Sequence, residues 1–96
     1  MLSCMKKKRF QYIGNCVQLD GDDVNEMKTT FTEITLGTFM RNIGKENWRM
    51  IQKKLGYDRN FPIKNDWHVG YYKAVYKNKL AYVLVWSGFE HVFIET

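Results

Sequence analysis

The chain has 96 residues, a length that predicts a single domain spanning residues 1–96. Its composition, 45% hydrophobic and 26% charged with a net charge of +5, excludes a chain that is disordered throughout. Its two cysteines form neither a CxxC motif nor a disulfide framework, and no run approaches the roughly 20 apolar residues of a membrane helix, so we expect a cytoplasmic protein without membrane contact.

The N-terminal third predicts a β-hairpin. Residues 9–19 are rich in aromatic and β-branched side chains, which are typical of a strand. Asp20-Gly21 follows and indicates a turn, because glycine accepts a positive φ without steric cost. Residues 25–34 contain three threonines and a phenylalanine, and we interpret them as the second strand.

Apolar residues at helical spacing predict a helix at about residues 36–55. The stripe consists of Leu36, Phe39, Met40, Ile43, Trp48, Ile51 and Leu55. Thr35 is a suitable N-cap. Gly44 weakens the helix, so we expect it to kink the helix or to split it in two. A loop at 57–66 contains the only proline and ends this part of the chain.

The last thirty residues predict a three-stranded antiparallel meander at about 67–95. Its strands cover about 67–77, 80–87 and 89–95, separated by two-residue turns at Asn78-Lys79 and Ser87-Gly88. A hairpin, a helix and a meander together predict an α+β fold.

Alternation along these strands divides the side chains between two faces of the sheet. One face carries Tyr71, Lys73, Lys77, Tyr82, Trp86, Phe89, His91 and Phe93, and we call it the aromatic face. The other carries Tyr72, Ala74, Tyr76, Ala81, Val83, Val85, Val92 and Ile94, and we call it the small-residue face. Because the centre of the small-residue face leaves room for a helix, we expect the helix at 36–55 to pack there.

The aromatic face then has three interpretations. The N-terminal segment covers it, or a partner protein or a second copy of the chain docks on it, since aromatic residues are enriched at such interfaces. Alternatively, it is a platform on which unpaired bases stack while Lys73 and Lys77 contact phosphates.

The helix carries a second candidate surface, the basic ridge, which consists of Arg41, Lys45, Arg49 and Lys53. Glu46 is the only acidic residue within this segment. Ridges of this kind bind phosphate backbones in a salt-dependent manner. The alternative interpretation is a solvated helix face without a ligand.

Catalytic and metal-binding patterns are weak. His91 belongs to the aromatic face and His68 has the opposite parity in its strand, so the two histidines should not converge. Asp20, Asp22 and Asp23 resemble the start of a calcium loop, but valine occupies the next ligand position and no glycine follows it. We therefore expect no metal site and no cofactor.

We interpret the protein as a small non-enzymatic binding protein. It engages nucleic acid, or a complex that processes nucleic acid, through the basic ridge, the aromatic face or both. One alternative is an inhibitor that acts by protein–protein contact, as small phage or mobile-element proteins do, and a homodimer is also compatible with the aromatic face.

In length, charge and C-terminal meander the chain also resembles the RelE-type ribosome-dependent ribonuclease toxins. That resemblance implies RNA cleavage by side chains on the sheet, and it would give such roles to Tyr71, Lys73, Tyr82 and His91. No motif of that family matches residue by residue.

Overall fold

The computed structural model describes residues 9–55 and 69–96 and confirms the α+β class. The elements are β1 (Phe10–Asn15), α1 (Gly21–Lys28), β2 (Thr32–Glu33), α2 (Leu36–Ile43), α3 (Lys45–Lys54), β3 (Gly70–Tyr76), β4 (Lys79–Trp86) and β5 (Phe89–Glu95). The described strands form one antiparallel sheet in the order β1-β5-β4-β3-β2. The predicted loop at 57–66, the start of the meander and His68 lie outside the described residues. Within the described ranges, no helix is long and apolar enough to cross a membrane.

The prediction of an N-terminal hairpin is wrong for its second strand. Residues that were expected to begin a strand form α1, because Asp20 acts as an N-cap rather than as a hairpin turn. Its side-chain oxygen accepts a hydrogen bond from the Asp22 backbone N–H at 2.8 Å, and acidic residues in the first turn suit the helix dipole. Only Thr32–Glu33 is a strand, and it pairs with β3. β1 pairs instead with β5.

The long helix is split at Gly44, as the sequence predicted. Thr35 caps α2 by accepting a hydrogen bond from the Thr38 backbone N–H at 3.1 Å. The Gly44 N–H donates to the Met40 carbonyl, and the Gly44 carbonyl accepts from Trp48, both at 3.0 Å. One residue therefore ends α2 and begins α3. Its φ of 89° and ψ of 160° form a conformation that side-chain-bearing residues rarely adopt.

The meander confirms one predicted turn and shifts the other. Trp86 pairs with Phe89 around Ser87-Gly88, as expected. The first turn lies at Lys77-Asn78 rather than at Asn78-Lys79, with positive φ at both residues as a type I′ turn requires. Each β3 residue consequently pairs two positions away from its expected partner. Because side chains alternate with a period of two, the side chains within β3 and β4 keep their predicted faces, whereas Lys77 lies in the turn and contacts Asp23 of α1.

The expected docking of the helix is wrong, because α2 and α3 pack on the aromatic face. The Phe39 ring lies 5.1 Å from the Tyr71 ring and 5.9 Å from the Phe93 ring, measured between centroids. The small-residue face is covered by α1 through Val24 and Met27. α1 buries only these two side chains, which suit a face with alanines at its centre, whereas the larger rings of α2 and α3 fill the space above the aromatic face.

The outer edge of β3 is covered by the chain between α1 and α2. The Val75 N–H donates to Thr30 Oγ1 at 2.8 Å, and the Ile34 N–H donates to the Tyr71 carbonyl at 2.9 Å. Between them, Thr32 pairs with Lys73. Three successive outward-facing positions of β3 therefore have partners within the chain, which is one way in which proteins protect a sheet edge.

Candidate nucleic-acid interface

The basic ridge lies on the outer surface of α2 and α3. Lys45, Arg49 and Lys53 follow one another at intervals of four residues along α3, and Arg41 precedes them in the last turn of α2. All four side chains are exposed, because the opposite side of the two helices supplies the apolar residues that pack on the sheet. The Arg41 guanidinium donates a long hydrogen bond of 3.4 Å to Thr38 Oγ1, and the pair lies on the surface.

Charge is separated across the sheet. Residues 36–55 carry five basic side chains and one acidic side chain, a net charge of +4. Residues 20–28, which contain α1, carry one basic and four acidic side chains, a net charge of −3. Because the two helical layers lie on opposite faces of the sheet, the positive segment and the negative segment lie on opposite sides of it. This polarity was not apparent from the sequence, since it depends on which face each helix covers.

Two ion pairs lie on the α1 side of the sheet. Lys28 Nζ lies 2.9 Å from Glu90 Oε2, and Lys77 Nζ lies 3.2 Å from Asp23 Oδ2. Asp23 thus engages a lysine of the turn between β3 and β4 on the side away from the ridge. Lys77, one of the predicted binding residues, is exposed but belongs to this side of the molecule.

A groove of about 430 Å³ opens beside the ridge where α2 meets α3. Its lining is formed by Gly37, Met40, Arg41, Gly44, Lys45 and Trp48. Two of these residues have no side chain, and they lie seven residues apart, or two helical turns, on one side of the helical segment. The groove was not identified from the sequence. The spacing of the two glycines next to Met40 and Trp48 is the signal that would have indicated it.

Much of the aromatic face is interior. Tyr71 is 8% exposed, Tyr82 is 5% exposed and His91 is 3% exposed. Trp86 is half-buried, and Lys73 is exposed on β3. The N-terminal strand does not cross the aromatic face but extends the sheet beside β5, and the covering layer is α2 with α3. The outside of the helices is exposed on this side of the molecule, and so are Phe89 and Lys73 of the aromatic face.

His91 forms a polar contact within this interior. Its Nδ1 lies 3.1 Å from the Tyr12 hydroxyl, and the two rings stack with centroids 6.2 Å apart. Lys54 Nζ lies 5.7 Å from the Tyr12 ring centroid. Burial, assisted by the charge of Lys54, lowers the pKa of His91, and burial raises the pKa of Tyr12. The contact joins β1 to β5.

A second buried polar contact lies on the small-residue face. Burial by itself would raise the pKa of Glu90, but hydrogen bonds from Lys28 and Cys16 outweigh that effect, so the pKa is lowered. Burial raises the pKa of the Cys16 thiol, which disfavours the reactive thiolate. Within residues 9–55 and 69–96, no group of three or more His, Cys, Asp and Glu side chains is placed to hold a metal ion.

The arrangement of charge and shape therefore points to the outer side of α2 and α3 as the candidate interface. It combines a row of four exposed cations with a groove of mixed apolar and cationic lining. Comparison with known proteins adds no relative, because no protein family, no curated protein and no solved structure matches the chain.

Proposed function

We propose that the protein binds nucleic acid through the basic ridge of α2 and α3. The observation that supports this proposal is the separation of charge, with a net charge of +4 in the segment that carries the ridge and −3 around α1 on the opposite face. A polyanion approaching the molecule is attracted to one side and repelled from the other, which orients the encounter. We further propose that the protein acts in the cytoplasm and has no catalytic role of its own.

The spacing of the ridge suits a phosphate backbone. On α3 the three cations are separated by four residues each, which corresponds to about 6 Å of helix axis per step. A row of cations at this spacing can contact several phosphates of one strand. Lysine and arginine contacts of this kind fix position and affinity rather than sequence preference.

Fluorescence anisotropy with a labelled oligonucleotide tests the proposal. Affinity should fall steeply between about 50 mM and about 200 mM salt. The double variant Lys45→Gln/Arg49→Gln removes two ridge cations. If both contact single-strand phosphates, the slope of log K against log salt should become shallower by about 1.4.

Lys73→Gln/Lys79→Gln serves as the matched control, since it removes the same charge from exposed positions on the sheet. We expect it to retain most of the affinity and the salt slope of the wild type. Equal losses in both variants would assign the binding to net charge alone and would contradict a role for the ridge. Absence of binding by the wild type at low salt would overturn the proposal as a whole.

A further inference from the structure

We propose that the groove between α2 and α3 receives an unpaired base, so that the protein prefers single-stranded nucleic acid to duplex. This inference rests on the proposed function, because the ridge must first hold the backbone. It adds a binding site for the base and a selectivity that the ridge alone does not supply.

The groove has the lining that such a site requires. Met40 is half-buried and Trp48 is 8% exposed, and the parts of them that reach the surface provide the apolar wall. Arg41 and Lys45, which also belong to the ridge, provide positive charge at the same place. The groove, of about 430 Å³, is open to solvent, so a base would lie against its wall and remain partly exposed. No acidic side chain contributes to the lining. A ligand with a flat apolar ring attached to an anionic group matches this combination, and a nucleotide within a strand is such a ligand.

Trp48 is held in place from behind. Its ring lies 6.2 Å from the Phe39 ring in an edge-to-face arrangement, and Phe39 is fully buried against the sheet. A base entering the groove would therefore meet a preformed wall instead of a mobile side chain. The thioether of Met40 adapts to rings of different shape, which favours a site without strong preference among the bases.

The preference for single-stranded over duplex nucleic acid follows from the accessibility of the base. In a single strand the bases can turn outward while the backbone follows the cations. In a duplex each base is paired and stacked, so entry into the groove would require the base to flip out. The ridge contributes to the binding of both forms, whereas the groove contributes only to the binding of the single strand.

The sharpest test keeps every phosphate and removes the bases. We compare a labelled oligothymidine with an abasic strand of the same length, using the wild-type protein at one salt concentration. Loss of the stacked base should weaken binding about tenfold, the lower range reported for base–aromatic stacking in single-strand binding proteins. A duplex of the same length is the third ligand, and an oligouridine separates RNA from DNA as the source of the strand.

Gly37→Leu adds an apolar side chain at the wall of the groove without changing its charge. A Cβ at this position would meet only Thr35 Oγ1, at 4.0 Å, so the helix has room for the substitution. Gly21→Leu is the matched control, because it adds the same side chain to α1 on the opposite face, where a Cβ would meet nothing within 4 Å. Gly37→Leu should bind oligothymidine as weakly as wild type binds the abasic strand, and Gly21→Leu should bind it as wild type does.

The outcomes separate this inference from the proposed function. If wild type binds the oligothymidine and the abasic strand equally, the ridge proposal stands and the groove proposal falls. Equal affinity of Gly37→Leu and wild type for oligothymidine would also refute the groove as the site of the base. If no strand binds at low salt, both proposals fail together. The abasic comparison uses only the wild-type protein and does not depend on how any variant folds.

Discussion

The packing of α2 on the aromatic face predicts a specific energetic coupling between Phe39 and Tyr71. Their centroids lie 5.1 Å apart with the ring planes tilted by 45°, and both side chains are buried. Replacing either ring with leucine should lower the free energy of unfolding by roughly 1–3 kcal/mol. Because an aromatic pair contributes about 0.5–1.5 kcal/mol beyond its buried area, the double variant should lose less than the sum of the two single variants by that amount.

Tyr76 provides the control for this cycle. It is also a buried tyrosine of β3, but it belongs to the cluster on the small-residue face, where α1 packs. Phe39→Leu and Tyr76→Leu should therefore be additive within about 0.5 kcal/mol. Urea denaturation followed by circular dichroism gives all the required free energies. Additivity of Phe39 with Tyr71, or clear coupling of Phe39 with Tyr76, would mean that α2 does not lie over the aromatic face.

Two further predictions concern a glycine pair and a histidine. Gly44→Ala should destabilise the protein by about 1–3 kcal/mol because the φ of Gly44 is 89°. Gly37→Ala should raise stability by up to about 1 kcal/mol, because Gly37 lies inside a helix with open space at its Cβ. Thermal denaturation measures both effects, and effects of the same sign would contradict the split helix. The folded-state pKa of His91 lies below its ordinary value of 6.5, so its contribution to stability is complete above that value and is lost as the pH falls through it toward the folded-state pKa. Denaturation at about pH 7.5 and about pH 5 should therefore show a stability loss in the wild type that is smaller in His91→Gln, and identical losses would remove His91 as the cause.

Local signals in the sequence were sufficient for several elements. Thr35 is a capping residue followed by a helical stripe, and Gly44 interrupts that stripe, so both ends of α2 were predictable. The Ser87-Gly88 turn and the alternation of the strands fixed the composition of the two sheet faces. The first turn was expected one residue too late, which shifts the pairing by two positions, and a shift by an even number preserves the faces.

α1 was missed because its signals compete with those of a strand. Asp20-Gly21 is equally suited to a hairpin turn and to a helix N-terminus. The following threonines favoured the strand. The decisive signal was the pair Val24 and Met27. Residues three apart lie on the same face of a helix, whereas in a strand they would point to opposite faces.

The packing of helices on the sheet was not determined by local pattern. Small residues such as Ala74 and Ala81 accept a helix, but large rings accept one equally well when the helix brings complementary side chains. The protein has two helical layers, and which face of the sheet each layer covers is determined by the packing of the complete core. The candidate site could not be predicted for the same reason, since the groove and the charge separation both depend on which helices pack on which face of the sheet.

The covered edge of β3 has a consequence for the behaviour of the protein at high concentration. Thr30, Thr32 and Ile34 already occupy the positions that an incoming strand from another molecule would need. Growth of a continuous intermolecular sheet from this side would first require the segment between α1 and α2 to detach. At high protein concentration, this edge of the sheet should therefore resist the addition of a strand from another molecule.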